Sequence, residues 1–401
     1  MSLIKNIIKT LLYLIFLPIW VSQRVFSRRS KNIWIFGCWY GQKYSDNSKY
    51  LFEYVNLNED NEIRPIWITR NKEVLNHVKD MGLEVYMAHS MKAIYYTLLC
   101  EYIFISSGKK DVNSLYSNGA KLVQLWHGSP LKRIGLDDEY SSAHNFFNSI
   151  ITKNLAPYWY EYNYHYTVTN SETFQNIFSS AFAIEKDNVL NLGSPRNDIF
   201  FSKKKHLFNQ NLINTFGENC KIIYYLPTYR DQSKFSNMFE LPDFDANELL
   251  RILERNNIVF VYKGHFVDSV WRNSFIKRSD NNRFIIIDES VDYEISEMYK
   301  DADLLITDYS SVFYDFLLTQ KPIVFAAYDL DDYLSHSRKM YFPYEQIVPG
   351  PIVGNWKELF ELIEGEIWEI NPFLDKLKNA NKIYNKFHDV DNSERVYNFF
   401  K

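Results

Sequence analysis

Short runs of apolar, strand-forming residues alternate with helix-like segments along almost the whole chain. One set of runs lies near residues 33–36, 64–68, 84–87, 102–105, 121–125 and 166–169, and a second near 222–226, 258–262, 284–287, 304–306 and 323–326. Runs that are apolar throughout, such as 102–105, are typical of parallel strands covered by helices on both faces. The alternation therefore predicts βαβ units and an α/β fold with parallel sheets.

The length of 401 residues predicts two domains, because a single core rarely grows beyond about 250–300 residues. Residues 201–211, rich in Lys and Asn, separate the two sets of strands and are predicted to be the linker. We expect a membrane-associating helix with a basic segment (residues 1–30), a first Rossmann-like domain (31–205) and a second one with a terminal helix (206–401). Helices are predicted near 48–55, 72–81, 246–255, 293–300, 312–319, 356–363 and 372–387.

The first 20 residues carry apolar side chains in pairs every four positions, which is close to the helical period. Residues 11–21 are almost wholly apolar, but this run is shorter than the ~20 residues that a membrane span needs. The cations Arg24, Arg28, Arg29 and Lys31 follow directly. This pattern predicts an amphipathic helix on an anionic membrane surface. A core helix and a signal peptide are the alternatives, although Trp20 and the arginines occupy the place of a cleavage site.

Composition narrows the class of function. The net charge of −4 argues against nucleic-acid binding. The three cysteines are scattered, and the nine histidines lack metal-ligand spacing, so we expect a reducing compartment and neither a structural metal nor a cofactor. Neither GxGxxG nor GxxxxGK[ST] occurs, which argues against a standard dinucleotide site or P-loop.

Two histidines follow predicted strands beside a glycine. His127 comes after the strand near 121–125 and precedes Gly128, with Ser129 and Lys132 in the same loop. His265 comes after the strand near 258–262 and follows Gly264. In open α/β sheets, ligands bind at the carboxyl ends of the strands. One imidazole could act as a base while the other, protonated, stabilises phosphate charge. The alternative is that one of them is packed and purely structural.

Two further strand ends suit an anionic ligand. Ser310 and Ser311 follow the strand near 304–306 and precede a predicted helix, whose first N–H groups form an anion site; capping alone would also explain them. Asp308 is expected to orient this loop. Arg230 follows the strand near 222–226, close to Thr228, and could clamp a diphosphate or pair structurally with its neighbouring aspartate. A fourth loop, GSPRND, places an arginine near the proposed domain junction.

The chain resembles the CDP-glycerol glycerophosphotransferase family, the teichoic acid primases and polymerases of Gram-positive bacteria and related capsule enzymes. The resemblance covers roughly residues 31–390 and rests on an ordered series of motifs: LWHGSPLK, TNSETF, GSPRND, LPTYRD, KGH, ITDYSSVFYDFLL, KPIVFAAYDLDDY and VPGP. It implies a GT-B fold, with two Rossmann-like domains facing each other across a cleft, and no required metal.

The resemblance also implies an activity. Enzymes of this family transfer a polyol phosphate from a CDP-activated donor, CDP-glycerol or CDP-ribitol, to a hydroxyl of a lipid-linked acceptor and release CMP. We therefore expect a peripheral enzyme on the cytoplasmic side of the cell membrane that uses an undecaprenyl-diphosphate-linked saccharide. The alternatives are a GT-B glycosyltransferase that uses a nucleotide sugar and a non-catalytic membrane scaffold.

Residue by residue, the resemblance implies that His127 and His265 are the catalytic pair and that Ser310 and Ser311 hold the donor phosphates. Thr228 and Arg230 would also bind the donor. Gly128, Ser129, Lys132, Gly264 and Asp308 would support the loops. The sequence departs from the family pattern where Ser129 replaces threonine, where Phe266 replaces proline, and at residues 337–340, where a glycine is missing. Since only a membrane-helix segment precedes the domains, the chain looks like the short, primase-type members.

Overall fold

A computed structural model of the protein describes residues 2–26, 28–58, 62–141, 153, 157, 160–228, 238–264, 283–287 and 294–401. Within these ranges the chain forms two sheets, and every strand pair in them is parallel. The predicted α/β fold with parallel sheets is therefore confirmed.

The first sheet has seven strands in the order β3-β2-β1-β4-β5-β6-β7. Its strands are β1 (Ser30–Gly37), β2 (Arg64–Thr69), β3 (Val85–Met87), β4 (Cys100–Ile105), β5 (Lys121–Gln124), β6 (Tyr166–Thr169) and β7 (Val189–Asn191). In the register of β1, Phe36 lies between Trp67 of β2 and Phe104 of β4. All three side chains are fully buried, as a sheet covered on both faces requires.

The second sheet has six strands in the order β10-β9-β8-β11-β12-β13. Its strands are β8 (Lys221–Leu226), β9 (Ile258–Tyr262), β10 (Phe284–Ile286), β11 (Leu304–Thr307), β12 (Ile323–Ala326) and β13 (Ile352–Val353). Ile223, Phe260, Ile306 and Trp356 contribute fully buried side chains to its core. In both sheets the strand order reverses beside the first strand of the set, which is the arrangement of a doubly wound fold.

Fourteen α-helices lie in the described ranges. They are α1 (Ser2–Phe26), α2 (Asp46–Leu57), α3 (Lys72–Asp80), α4 (Met91–Leu99), α5 (Glu172–Phe182), α6 (Leu207–Phe216), α7 (Ala246–Arg255), α8 (Ile295–Tyr299), α9 (Val312–Phe316), α10 (Leu330–His336), α11 (Tyr344–Ile347), α12 (Trp356–Glu364), α13 (Leu374–Tyr384) and α14 (Asn392–Phe400). Helix α7 has the bounds predicted from the sequence, whereas the predicted helix 312–319 is α9 followed by a 3₁₀ turn.

The chain divides into two compact units, and the division differs from the predicted boundary at residue 205. The first unit comprises Met1–His127, Arg133–Asp198 and Asp389–Lys401; the second comprises Gly128–Lys132 and Ile199–His388. The last helix, α14, belongs to the first unit because Val396, Tyr397 and Phe400 are buried in the core that contains Trp34. Asp198 accepts hydrogen bonds at the start of this helix.

The predicted linker at 201–211 is also wrong in its second half. Helix α6 begins at Leu207, inside the predicted linker. Asn209 is fully buried, donates to the carbonyl of Met298 at 2.5 Å and accepts from the Tyr224 hydroxyl at 2.6 Å. Polar composition suggested a solvated connection, but this asparagine satisfies buried hydrogen-bonding groups of the second unit.

Helix α1 packs against the rest of the first unit through Trp20 and Gln23. Trp20 is buried against Leu115, its carbonyl accepts from Asn118 at 2.6 Å, and Gln23 donates to the Leu115 carbonyl at 2.7 Å. The opposite side leaves apolar side chains in solvent: Leu11, Leu14, Ile15, Ile19, Val21 and Val25. None of the described helices combines the length and the apolar character needed to cross a bilayer.

Arg29 does not belong to the exposed cationic cluster that the sequence predicted. Its guanidinium donates to the carbonyls of Thr97, Cys100 and Asn118. Burial lowers the pKa of Arg29. Arg24, Arg28 and Lys31 are exposed. Arg29 therefore anchors the segment that joins α1 to β1, and the binding of α1 to a membrane remains a prediction.

Candidate active site

His127 lies at the carboxyl edge of the first sheet, three residues after the end of β5. Its Nδ1 is 2.8 Å from the carbonyl oxygen of Ser106, which directly follows β4. A carbonyl can only accept, so Nδ1 carries the hydrogen and, in the neutral ring, Nε2 carries the lone pair. The ring is half-buried. In the neutral ring, Nε2 is therefore the nitrogen that can accept a proton.

Two tryptophans enclose the imidazole. Trp126 stacks on it, with ring centroids 4.1 Å apart and planes inclined by 28°, and the Trp39 ring lies at 5.2 Å. The backbone on either side of His127 is unusual, because Trp126 has a φ of 56° and Gly128 a φ of 137°. The left-handed region favours glycine, so Gly128 supplies a turn that other residues adopt only with strain.

An ion pair supports the backbone of His127. Arg196 donates from one Nη to the His127 carbonyl at 2.8 Å and to Oδ1 of Asp46 at 2.5 Å. The other carboxylate oxygen of Asp46 accepts from Nε1 of Trp39 at 2.5 Å. The side chains of Arg196 and Asp46 are only 11% and 7% exposed. The pair thus connects the histidine backbone to one of the two tryptophans that enclose the ring.

Asn47 holds the same loop by its amide. Its Nδ2 donates to the carbonyls of Leu125 and Trp126 at 3.0 and 2.9 Å, and its Oδ1 accepts from the backbone N–H of Arg196 at 3.0 Å. The side chain is fully buried. Asp46 and Asn47 at the start of α2 therefore fix the positions of two loops that come from distant parts of the sequence.

Asp111 supports the histidine's hydrogen-bond partner. Its carboxylate accepts from the backbone N–H groups of Ser106, Ser107, Gly108 and Tyr40, at 2.7 to 3.2 Å. Burial raises the pKa of Asp111 to about 6, while these four N–H donors act in the opposite direction. The carboxylate thereby fixes the turn that presents the Ser106 carbonyl to His127.

Strained backbone is concentrated around His127. In the described ranges, eight residues other than glycine have a positive φ, and four of them are Trp39, Tyr40, Asp46 and Trp126. Such conformations cost on the order of 1–3 kcal/mol each and persist where the surrounding structure enforces them. The packing and hydrogen bonds around His127 therefore enforce these conformations.

The second unit brings Asp308, Ser310, Ser311 and Thr228 together at the carboxyl edge of its own sheet. Oδ1 of the buried Asp308 accepts from the backbone N–H groups of Thr228 and Tyr309, at 2.8 and 2.6 Å. The carboxylate therefore binds backbone donors of the loops after β8 and β11 and orders both loops.

The two serines behave differently. Oγ of Ser310 accepts from the N–H of Val312 at 3.4 Å, which is a weak cap for α9. Ser311 occupies the N-cap position, but its side chain makes no capping bond. Ser311 is only half-buried, so its hydroxyl lies at the strand edge without the structural role that capping would give it.

The supporting residues have varied contacts. A Cβ at Gly264 would collide with the Tyr262 hydroxyl, so glycine is required there. Ser129 is buried. Lys132 pairs with Met340 in an isolated bridge, and its Nζ lies 5.0 Å from the ring of Tyr333. His265 and Arg230 lie outside the described residues. Within the described residues, no cluster of three or more His, Cys, Asp or Glu side chains could hold a metal ion.

Sequence reasoning did not single out Asp46, Asn47, Asp111 or Trp39, and it noted Arg196 only for its position near the domain junction. Little in the sequence pointed to them, because Ser106 and Ser107 follow β4 but Cys38 and Trp39 follow β1, and Asp46 comes nine residues after its end. These strands are neighbours in the sheet, so the residues after them lie at one edge.

The family model for CDP-glycerol:poly(glycerophosphate) glycerophosphotransferases matches residues 20–400. The chain belongs to this family. It is 30% identical to a teichoic acid glycerol-phosphate transferase of Staphylococcus aureus, over 98% of this chain and 97% of the relative. It is 29% identical to the teichoic acid ribitol-phosphate polymerase TarL of the same species, over 74% of this chain but only 50% of the relative.

Solved structures of the wall teichoic acid polymerase TagF share the fold. A structure of the wall teichoic acid polymerase TagF, a histidine variant soaked with CDPG, superposes with a TM-score of 0.72 at 24% identity, covering 93% of this chain and 89% of the other. The ribitol-phosphate polymerase TarL is about twice as long as its aligned part, whereas the glycerol-phosphate transferase is matched almost end to end.

Proposed function

We propose that the protein transfers glycerol phosphate, or a related polyol phosphate, from a CDP-activated donor to a hydroxyl of a membrane lipid-linked acceptor and releases CMP. The pathway would be teichoic acid or capsular polymer synthesis. The observation that carries the proposal is the contact between Nδ1 of His127 and the Ser106 carbonyl. It sets the tautomer, and in the neutral ring Nε2 then has the lone pair that can take the proton of an attacking hydroxyl. Family membership supplies the donor class.

The chemistry divides into a proton transfer and a phosphoryl transfer. Nε2 of His127 removes the proton as the acceptor oxygen attacks the phosphorus that bears the polyol. The bond from this phosphorus to the oxygen of the CMP phosphate breaks, and CMP leaves with the electron pair. The attacking oxygen then forms a phosphodiester with the polyol phosphate, and Arg196 and Ser106 keep the ring oriented throughout.

The second unit would hold the donor. Ser310 and Ser311 would donate hydroxyls to the phosphates, and Thr228 lies beside them through its bond to Asp308. Arg230 and His265 would add positive charge, the latter protonated. These roles and the predicted cleft between the units are part of the proposal.

The location is also proposed. The exposed apolar side of α1, with Arg24 and Arg28 nearby, suits a peripheral position on an anionic leaflet. A lipid-linked acceptor such as an undecaprenyl-diphosphate saccharide would present its hydroxyl there, on the cytoplasmic side where CDP-activated donors are available.

Donor discrimination tests the proposal. The purified protein, incubated with a lipid-linked acceptor and either CDP-glycerol, CDP-ribitol or a UDP-sugar, should release CMP with one of the CDP donors. Mass spectrometry should then show an acceptor heavier by one or more polyol phosphates. Release of UDP with sugar transfer would replace the proposal by a glycosyltransferase. No turnover with any donor would favour a scaffold.

A further inference from the structure

The first unit contains a cavity of about 320 Å³ beside helix α1, apart from His127. One part of its wall is cationic or polar and is formed by Arg70, His89 and Lys110. The other part is apolar and is formed by Phe16, Leu115 and Tyr116. Nothing in the reaction described above uses these side chains.

The cationic wall lies at the same sheet edge as His127. Arg70 directly follows β2, His89 follows β3 by two residues, and Lys110 lies in the turn after β4. A short chain of contacts joins Arg70 to His127. The backbone N–H of Arg70 donates to the Gly41 carbonyl at 2.7 Å, and Trp39, two residues earlier, contacts the His127 ring.

Hydrogen bonds to protein groups hold the Arg70 guanidinium in this wall. Arg70 donates to the carbonyls of Val112 and Lys110 at 3.0 and 3.4 Å and to Nε2 of His89 at 2.6 Å, so the His89 ring is neutral in this contact. Burial lowers the pKa of Arg70, and the carboxylate of Asp111 acts in the opposite direction. The oxygens of Asp111 already accept four backbone N–H groups. A guanidinium has five N–H groups and binds phosphate oxygens in pairs, so Arg70 is positioned to receive an anion.

The apolar wall is continuous with the helix that the proposed function places at the membrane. Phe16 packs with Leu17 and Leu115 around Trp20 on the inner side of α1. Leu11 and Ile15 of the same helix are exposed on its outer side. A ligand with an anionic head and a hydrocarbon chain could therefore meet both walls at once.

We infer that this cavity binds the diphosphate end of a polyprenyl-linked acceptor, with the phosphates against Arg70, His89 and Lys110 and the first prenyl units against Phe16. The inference rests on the proposed function, since it concerns the acceptor of that reaction. It assigns acceptor recognition to the sheet edge that also carries His127.

Direct binding tests the inference without turnover. Farnesyl diphosphate, inorganic diphosphate and farnesol are titrated by calorimetry into the full-length protein in a non-ionic detergent. The double variant His89→Gln, Lys110→Gln removes one charge, that of Lys110, and the neutral imidazole beside Arg70. Both positions are exposed, and Lys79→Gln on the exposed face of α3 is the charge-matched control. Phe16→Ala tests the apolar wall, with the exposed Leu14→Ala as its control.

The expected result is that wild-type protein binds farnesyl diphosphate more tightly than either part alone. The double variant should weaken this binding by about 5- to 20-fold, the loss expected for charge-assisted contacts, and leave farnesol binding unchanged. Phe16→Ala should weaken farnesyl diphosphate but not inorganic diphosphate. Both controls should bind as wild type does.

Three results would overturn the inference: equal binding by wild type and the double variant, equal binding of inorganic and farnesyl diphosphate, or displacement of the probe by CDP-glycerol, which would place it in the donor site. If the probe binds as expected while no CMP is released with any donor, the proposed function fails and the cavity remains a lipid diphosphate site.

Discussion

At the scale of residues, the chemistry of His127 depends on groups that are far away in the sequence. Its tautomer is set by the carbonyl of Ser106, and its backbone is held by Arg196. Each of these partners is itself fixed, Ser106 by Asp111 and Arg196 by Asp46. The site is therefore supported by an outer layer of carboxylates rather than by the loop of His127 alone.

Replacing Asp46 tests this outer layer. We expect Asp46→Asn to lower kcat at least about tenfold, because an amide leaves the buried Arg196 without its carboxylate, and to lower the free energy of unfolding by about 3–5 kcal/mol. The exposed ion pair between Arg64 and Glu84 is the control: Glu84→Gln should change stability by less than about 1 kcal/mol. Unchanged kcat in a folded Asp46→Asn protein would refute the positioning role.

Substituting each of the two serines after β11 should distinguish helix capping from ligand binding. Ser311→Ala should raise the KM for the CDP donor severalfold with little change in melting temperature, because its hydroxyl makes no capping bond. Ser310→Ala should also lower the melting temperature slightly, since its oxygen accepts from Val312. Donor titrations and thermal unfolding of both variants decide. A Ser311→Ala protein with normal KM would remove Ser311 from the donor site.

The positions of His127 and the two serines after strands could be predicted from the sequence, but the residues that support them could not. A histidine or serine directly after an apolar run is visible in one window of sequence. The meeting of Asp46, Asp111 and Arg196 is produced by the strand order, in which β1, β4 and β5 are neighbours. No spacing in the chain encodes that proximity.

At the scale of elements, the apolar strands were predictable, including the edge strands β3 and β10, whereas the edge strands β7 and β13 were missed. Strands β9 and β12 have the predicted bounds, because their runs are fully apolar. Strands β7 and β13 have three and two residues, which is too short for any periodicity to be recognised. Helix α14 was missed because it follows the last strand and packs on the first unit.

Helix α14 should be essential for the stability of the first unit. Phe400 is 5% exposed and packs against Tyr102 and Phe104, whereas Phe399 is 49% exposed. We expect Phe400→Ala to lower the free energy of unfolding by about 3–5 kcal/mol, and Phe399→Ala to lower it by about 1 kcal/mol or less. Chemical denaturation of both variants is the measurement. Equal losses would mean that α14 does not complete the core as described.

At the scale of the whole molecule, the chain passes between the two units more than once. The segment Gly128–Lys132 belongs to the second unit, and the residues after Asp389 return to the first. A domain boundary predicted from composition divides the chain at one point, so it cannot identify units that are made of several separate segments. Trp20, Gln23 and Arg29 attach α1 and the segment after it to the rest of the first unit, so deleting this segment would also remove contacts of that unit.

Membrane binding is therefore best tested by substitution. Replacing Leu11, Leu14 and Ile15 with serine changes only exposed side chains of α1. We expect flotation with anionic vesicles to fall at least about tenfold, since buried apolar area and nearby cations both contribute to binding. Leu57→Ser, at an exposed position of α2, is the control and should float as wild type does. Undiminished flotation of the triple variant would contradict a role of α1 at the membrane.

The central claim is that Nε2 of His127 accepts the proton in a transfer that releases CMP. The most direct test is the initial rate of CMP release by wild-type protein and by His127→Asn, with CDP-glycerol or CDP-ribitol and a lipid-linked acceptor. The asparagine amide can still donate to the Ser106 carbonyl but cannot act as the base. The account predicts a fall in kcat of about 10²- to 10⁴-fold with unchanged donor affinity. CMP release by the variant within a few-fold of wild type would contradict it.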